Sequence, residues 1–301
     1  MGDRNKKEVI KGIALAIAAT ILWAGNFIIA RDTAGEFPPV SLAFYRWALA
    51  CILLLPFLKN VKTDYKIVKQ NSFYFLAAGF TGVTVFNTLI YVAGKYSTAT
   101  NLALIGTTSS PVFSMILAAI FLKEKISLNQ FIGLCIILSG IGFLISSGSL
   151  ENLIALKFST GDLLVLTSAF IFAIYNILVR KRPAGITSAN FLFFTFLSGT
   201  ILLFPFYLAE LFYEPLPELK LKHLLSILYI GLCASVLSFL FWNAAIQRLG
   251  AARTALFGNL ILVFAAIEAA IFLQEKLTNV QWISGGLVLT GLVIANFKIR
   301  R

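Results

Sequence analysis

The chain has 301 residues, of which 59% are hydrophobic and 13% charged, with a mean hydropathy of +0.88. Those values exclude an ordinary soluble domain, which carries about 25% charged residues. The net charge of +12 argues against a nucleic-acid partner, because the basic residues fall in short connecting segments and not in one patch.

Ten apolar segments follow along the chain, at about 10–30, 40–58, 73–94, 99–122, 129–147, 161–180, 187–208, 223–247, 252–273 and 279–297. Each approaches the roughly 20 residues a helix needs to cross the hydrocarbon core. Runs such as ALAIAATILWAGNFIIA lack the period-two alternation of barrel strands and read as helices. The first segment follows a basic stretch, as a cleaved leader does. It has a counterpart at 161–180, however, and reads as a structural helix. Its stripe of Ala16, Ala19, Thr20, Trp23, Asn26, Phe27 and Ala30 sets aromatic and amide groups beside small residues. Such a stripe suits a pocket with few polar groups or hydrogen bonding between helices. The second segment contains Arg46. In the third, Asn87 and Tyr91 share a face at i, i+4. The fourth has Asn101, Thr107, Thr108, Ser109 and Ser110 ahead of Pro111, which frees a carbonyl one turn back and fits a hinge or a substrate contact.

The sixth segment matches the stripe of the first with Val165, Ser168, Ala169, Phe172, Tyr175, Asn176 and Val179. The eighth places Trp242 and Asn243 where Ile90 and Tyr91 align, and His223 near its start reads as surface. The ninth holds Asn259 and Glu268 on opposite faces, at about 100° per residue. Asn259, with Leu256, Val263, Ala266 and Ala270, is expected to face a cavity. The Glu268 stripe of Phe257, Ile261, Phe264 and Phe272 is expected to pack. An ionisable group at a helix centre costs about 2.5–3.5 kcal/mol on insertion scales. Arg46 and Glu268 lie at comparable depth, and fit either an outer-rim ion pair, with the arginine snorkelling, or substrate and proton coupling. Cys51, Cys135 and Cys233 fall in different segments and read as packing residues, so no metal or cofactor is implied.

The chain is also written twice. Residues 121–140, FLKEKISLNQFIGLCIILSG, reappear as 272–291, FLQEKLTNVQWISGGLVLTG. At a constant offset of 149, Gly12, Leu15, Ala24, Ile28 and Arg31 match Gly161, Leu164, Ala173, Ile177 and Arg180. Five crossings per copy deliver the second copy upside down. The expected fold is therefore an all-α integral membrane protein of ten transmembrane helices in two inverted five-helix repeats. These would be 1–147 and 161–301, with 148–160 as an external linker. Basic clusters at Arg4, Lys6 and Lys7, at Lys59–Lys69, at Arg180–Arg182 and at the C-terminus place both termini in the cytoplasm of a multi-pass cell (inner or plasma) membrane protein. Glu124-Lys125 then lies in a cytoplasmic turn and Glu275-Lys276 in an external one. Each pair reads as a structural turn, with the glutamate beside the N-terminus of the next helix and Ser127 and Thr278 as caps, or as part of a gate.

This order of features resembles the drug/metabolite transporter superfamily, in its ten-helix EamA-type branch. The marks are the duplicated F-L-x-E-K before a glycine-bearing helix, the Pro-Pro-Val-Ser-Leu-Ala-Phe-Tyr-Arg run at 38–46, and Ser110-Pro111-Val112-Phe113. The sequence departs from that pattern at Val263, which stands where a proline like Pro111 is expected, and at Glu268, where an apolar residue is usual. The resemblance implies export or exchange of small organic metabolites through a central cavity walled by the third, fourth, eighth and ninth helices. The expected activity is alternating-access transport of small amphipathic solutes such as amino acids. It would proceed without ATP, since no G-x4-G-K-[ST] loop exists. A proton-coupled multidrug exporter using Glu268 is the alternative. A membrane-embedded enzyme lacks convergent catalytic groups, and a passive channel is less supported. The partners are a small-molecule substrate and the bilayer, and the oligomeric state is left open.

Overall fold

The computed structural model describes residues 3–121, 128–154, 159–249, 257–258 and 260–296. Glu124, Lys125, Ser127, Leu256 and Asn259 lie outside the described residues. Among the described residues all regular structure is helical. The helices are α1 (Asp3–Asp32), α2 (Pro39–Leu54), α3 (Val61–Gln70), α4 (Ser72–Ala93), α5 (Ala99–Phe121), α6 (Leu128–Ile145) and α7 (Leu150–Ile154). There follow α8 (Thr160–Arg180), α9 (Ser188–Tyr213), α10 (Leu221–Leu249), α11 (Leu260–Phe272) and α12 (Asn279–Asn296). Helices thus stand at all ten predicted places. Among the described residues seven of them, α1, α2, α4, α5, α8, α9 and α10, are long and apolar enough to cross a membrane, and α6 and α11 are apolar but shorter. The segment after α2, expected as a plain connection, contains the amphipathic α3.

Large apolar side chains cover the outside of the bundle, among them Ile52, Phe73, Ile120, Ile201, Phe204, Phe212 and Ile271. An apolar exterior of this extent is stable only against lipid. The interior is lined by small residues, with Ala16, Ala19, Ala43, Ala50, Ala169 and Ala265 fully buried. Helices in lipid associate by close van der Waals contact, and small residues permit it. The limit is reached where α4 crosses α9: a Cβ on Gly79 would stand 2.5 Å from the Gly199 nitrogen, and one on Gly199 only 2.3 Å from the Val83 Cβ. The Thr84 hydroxyl donates to the Gly199 carbonyl at 2.9 Å and locks that crossing.

The packing pattern maps onto itself when the two halves are exchanged. α1 lies against α10 and α11, as α8 lies against α4 and α5. α2 packs on α9, and α6 on α12. A Cβ on Gly291 would meet the Gly133 carbonyl at 2.7 Å, so the fifth- and tenth-segment helices use their glycines for internal contact. The halves also share a backbone irregularity, a π-helical segment at Phe80–Val85 in α4 and another at Tyr229–Leu237 in α10. Their first residues are related by the repeat offset. Such segments widen the helix and recur at functional sites.

Candidate functional site

The Arg46 side chain leaves α2 for the bundle interior and is 4% exposed. Its Nε donates to Ser235 Oγ at 2.8 Å. Its Nη1 donates to Asn87 Oδ1 at 2.9 Å, to Tyr91 Oη at 2.8 Å and to Asn26 Oδ1. The Tyr91 hydroxyl donates in turn to Asn26 Oδ1 at 3.0 Å. The guanidinium carbon lies 4.6 Å from the centre of the Trp47 ring, a cation–π distance. Helices α1, α2, α4 and α10 each supply a member, and Asn87 and Tyr91 follow directly on the π segment of α4. Ser235 lies inside the π segment of α10 and donates to Ile230 five residues back at 2.8 Å. Arg46 forms no ion pair with a described residue. Among the described residues this buried cation is held by neutral dipoles.

An aromatic wall adjoins this cluster. Trp23 lies 5.1 Å from Trp242 and 5.4 Å from Phe239 between ring centres, and its Nε1 donates to the Ala234 carbonyl at 3.1 Å. Ala234 immediately precedes Ser235, so the wall and the polar cluster meet on one turn of α10. Asn243 is half-buried on the same helix.

Other predicted site residues lie elsewhere. Asn101 accepts from Gln281 Nε2 at 2.7 Å, at the end of the bundle where α1 finishes. Thr108 donates to the Leu104 carbonyl of its own helix at 2.5 Å, and α5 is continuous through Pro111. Tyr175 is buried with its ring on Gly82, in the π segment of α4. Asn176 donates to Ser114 at 3.1 Å and joins α8 to α5.

Three expectations need correction. Arg46 does not pair with Glu268, because α11 packs on α1 and α5 while Arg46 points to α1, α4 and α10; equal depth does not give equal direction. Glu268 is half-buried, within electrostatic range of Tyr229 on α10. Of the small-residue stripe of the ninth segment, Val263 and Ala270 are exposed, while α11 buries Leu262, Ala265 and Ala269. His223 is not surface: it is 2% exposed, with the Phe37 ring 5.2 Å away and Glu36 at 3.6 Å. Glu275 does not serve its own following helix. Its carboxylate accepts from the Ala99 and Thr100 amides at 3.1 and 3.5 Å and from the Thr100 hydroxyl at 3.2 Å, capping α5 from across the bundle. Lys276 is exposed. Thr278 does cap α12, accepting from the Gln281 amide at 3.2 Å.

Sequence reasoning missed two further caps. Glu210 at the end of α9 accepts from the Val40 and Ser41 amides at 2.9 and 2.5 Å, at the start of α2, whose own cap position is Pro38. Asp64 on α3 accepts from the Thr187 amide at 3.2 Å and from Asn190 at 2.7 Å, at the start of α9. The missing cap at Pro38-Pro39 was the signal for the first. With Arg31 donating to Gly94 at 3.1 Å and lying 4.0 Å from Glu275, and Ser97 donating to Asp162 at 3.2 Å, the end where α1 finishes is tied together. A surface cavity of about 160 Å³ at that end, lined by Glu36, Lys95, Glu214 and neighbours, contains none of the predicted site residues.

Comparison with known proteins agrees with this architecture. The "Uncharacterized transporter YyaM" of Bacillus subtilis (strain 168) is 29% identical, over 95% of this chain and 93% of its own. A "Probable amino-acid metabolite efflux pump" of Escherichia coli (strain K12) is 24% identical, over 95% of each chain. A "Probable terminal-alkyne amino-acid exporter" of Streptantibioticus cattleyicolor is 24% identical, over 96% of this chain and 94% of its own. A crystal structure at 16% identity shares the fold, with a TM-score of 0.62 over 94% of this chain and 96% of that one. The model of the EamA-like transporter family matches twice, at residues 10–146 and 159–297. With both halves matched, the chain belongs to the EamA-like transporter family, a family of multi-pass membrane proteins.

Proposed function

We propose that this protein is a secondary transporter that exports or exchanges small amphipathic metabolites of the amino-acid kind, by alternating access and without ATP. The observation that carries this reading is the buried Arg46 cluster beside the Trp23–Trp242 wall, to which both halves contribute. An apolar pocket with a few placed polar groups, at the meeting of two repeats, is the form taken by carrier sites. The names of the relatives from Escherichia coli and Streptantibioticus cattleyicolor support an amino-acid-like substrate. In this reading residues 1–147 and 161–301 are inverted halves of five crossings each, joined by an external linker at 148–160, with both termini cytoplasmic. The end where α1 finishes is then external. The bonds of Arg31, Glu210 and Glu275 support a state closed on that side, and the matched π segments of α4 and α10 supply flexible points for rocking.

Counterflow of radiolabelled amino acids into proteoliposomes tests the reading. Saturable, exchange-stimulated uptake of one of them is the expected result. Flux that stays linear in substrate would indicate a channel and sink the proposal. Glu268 supports a second reading as a proton-coupled exporter, because it is half-buried on α11 and forms no ion pair with a described residue. Glu268→Gln then abolishes uptake driven by a pH gradient and spares exchange; unchanged pH-driven uptake removes this second reading.

A further inference from the structure

We propose, resting on the transporter reading above, that Arg46 is the anchor for a substrate carboxylate and that the oxygens it holds are the acceptors for the substrate ammonium. The guanidinium carries a full charge, yet its partners among the described residues, Asn26, Asn87, Tyr91 and Ser235, are all neutral. A carboxylate offers two charged oxygens in the geometry that a guanidinium fork fits, and adds an opposite charge that the present neutral acceptors lack. The desolvation of Arg46 has already been met by folding, so an incoming anion meets a preorganised cation.

The exchange has a second half. When a carboxylate takes Nη1, the Asn87 amide oxygen and the Tyr91 oxygen lose their donor while still buried, and Asn26 Oδ1 is left with the Tyr91 hydroxyl alone. Unpaired buried acceptors are costly. An ammonium group, with three N–H donors and no acceptor, repairs that loss. A plain acid satisfies only the arginine, and a plain amine only the oxygens, so the cluster selects a zwitterion. The Trp23, Phe239 and Trp242 rings, reached through Ala234, favour an apolar substituent. The substrate class is therefore a neutral α-amino acid with an apolar side chain. Ser235, from the other half and within a π segment, holds Nε and so keeps the guanidinium in place while Nη1 exchanges its partners. A purely structural arginine predicts that folded Arg46 variants keep the wild-type order of competitors.

The test is counterflow of radiolabelled L-phenylalanine and L-leucine into proteoliposomes of the full chain. Each is competed by itself, by its deaminated acid (3-phenylpropionate, 4-methylpentanoate) and by its decarboxylated amine (phenethylamine, 3-methylbutylamine). The expected order is amino acid, then acid, then amine. Arg46→Gln should weaken competition by amino acid and acid about 30-fold or more. Asn87→Asp installs an internal carboxylate beside the guanidinium; it should lose the acid preference and gain competition by the amine, and it carries the test should Arg46→Gln fail to fold. Amines competing as well as acids in the wild type, or an unchanged order in either folded variant, overturns the anchor while leaving the transporter reading intact. No saturable counterflow of either amino acid overturns the substrate class, and the anchor with it.

Discussion

The carboxylate of Glu275 bridges two elements nearly two hundred residues apart in the chain, and its removal should loosen one end of the bundle only. Glu275→Ala deletes the acceptor for the Ala99 and Thr100 amides at the start of α5. Loss of a helix cap costs about 0.5–2 kcal/mol, and loss of a negative charge at a helix N-terminus about 0.3–1 kcal/mol. The Arg31 pair, 4.0 Å long with side chains 41% and 16% exposed, adds little after solvent screening. A total of about 2 kcal/mol corresponds to a roughly 30-fold faster opening-limited exchange of those amides. Hydrogen–deuterium exchange of peptides covering 97–104 measures this directly. Glu275→Gln, which keeps an acceptor oxygen, should show a smaller change of the same sign. Peptides covering 279–285 are the control, because Thr278 and Gln281 cap α12 without Glu275. Faster exchange at 279–285 with none at 97–104 would refute the cross-bundle assignment and restore the local-turn reading.

Gly199→Val should lower the thermal midpoint in detergent by the equivalent of about 1–3 kcal/mol, the usual cost of overpacking, because its Cβ meets Val83 at 2.3 Å and the Gly79 backbone at 2.7 Å. Gly285→Ala, with nothing within 4 Å, should be neutral or slightly stabilising, and equal losses at both sites would contradict the packing account. The hydrogen bond and the charge of Lys222 hold the Glu36 carboxyl below its ordinary value of 4.5. A depressed folded-state value gives stability that is fully present above pH 4.5 and lost as pH falls through the lower value. Lys222→Gln should therefore be less stable at pH 7, and its deficit should narrow in melts taken below pH 4.5; a deficit independent of pH would disprove the coupling.

Most of the architecture was legible along the chain because apolar length, helical period and internal repetition are one-dimensional properties. They located ten helical segments, and they selected Asn26, Arg46, Asn87 and Tyr91 as polar groups on buried faces. Periodicity gives the face of a residue on its own helix, and depth gives its height, but neither gives the neighbour. This is why Arg46 and Glu268, matched in depth, were open to a pairing that the structure does not make. His223 read as surface because its cover, Phe37 and Glu36, comes from a loop far away in sequence.

The sequence alone determined that this protein is a duplicated helical bundle built for lipid, because composition and repetition admit no other stable burial of so much apolar chain. Only the tertiary structure decided which polar groups meet. Arg46 and Ser235 are 189 residues apart, and Glu275 and Ala99 are 176 apart. In each pair the register comes from how small residues let whole helices approach, a property of two surfaces together that neither segment carries by itself.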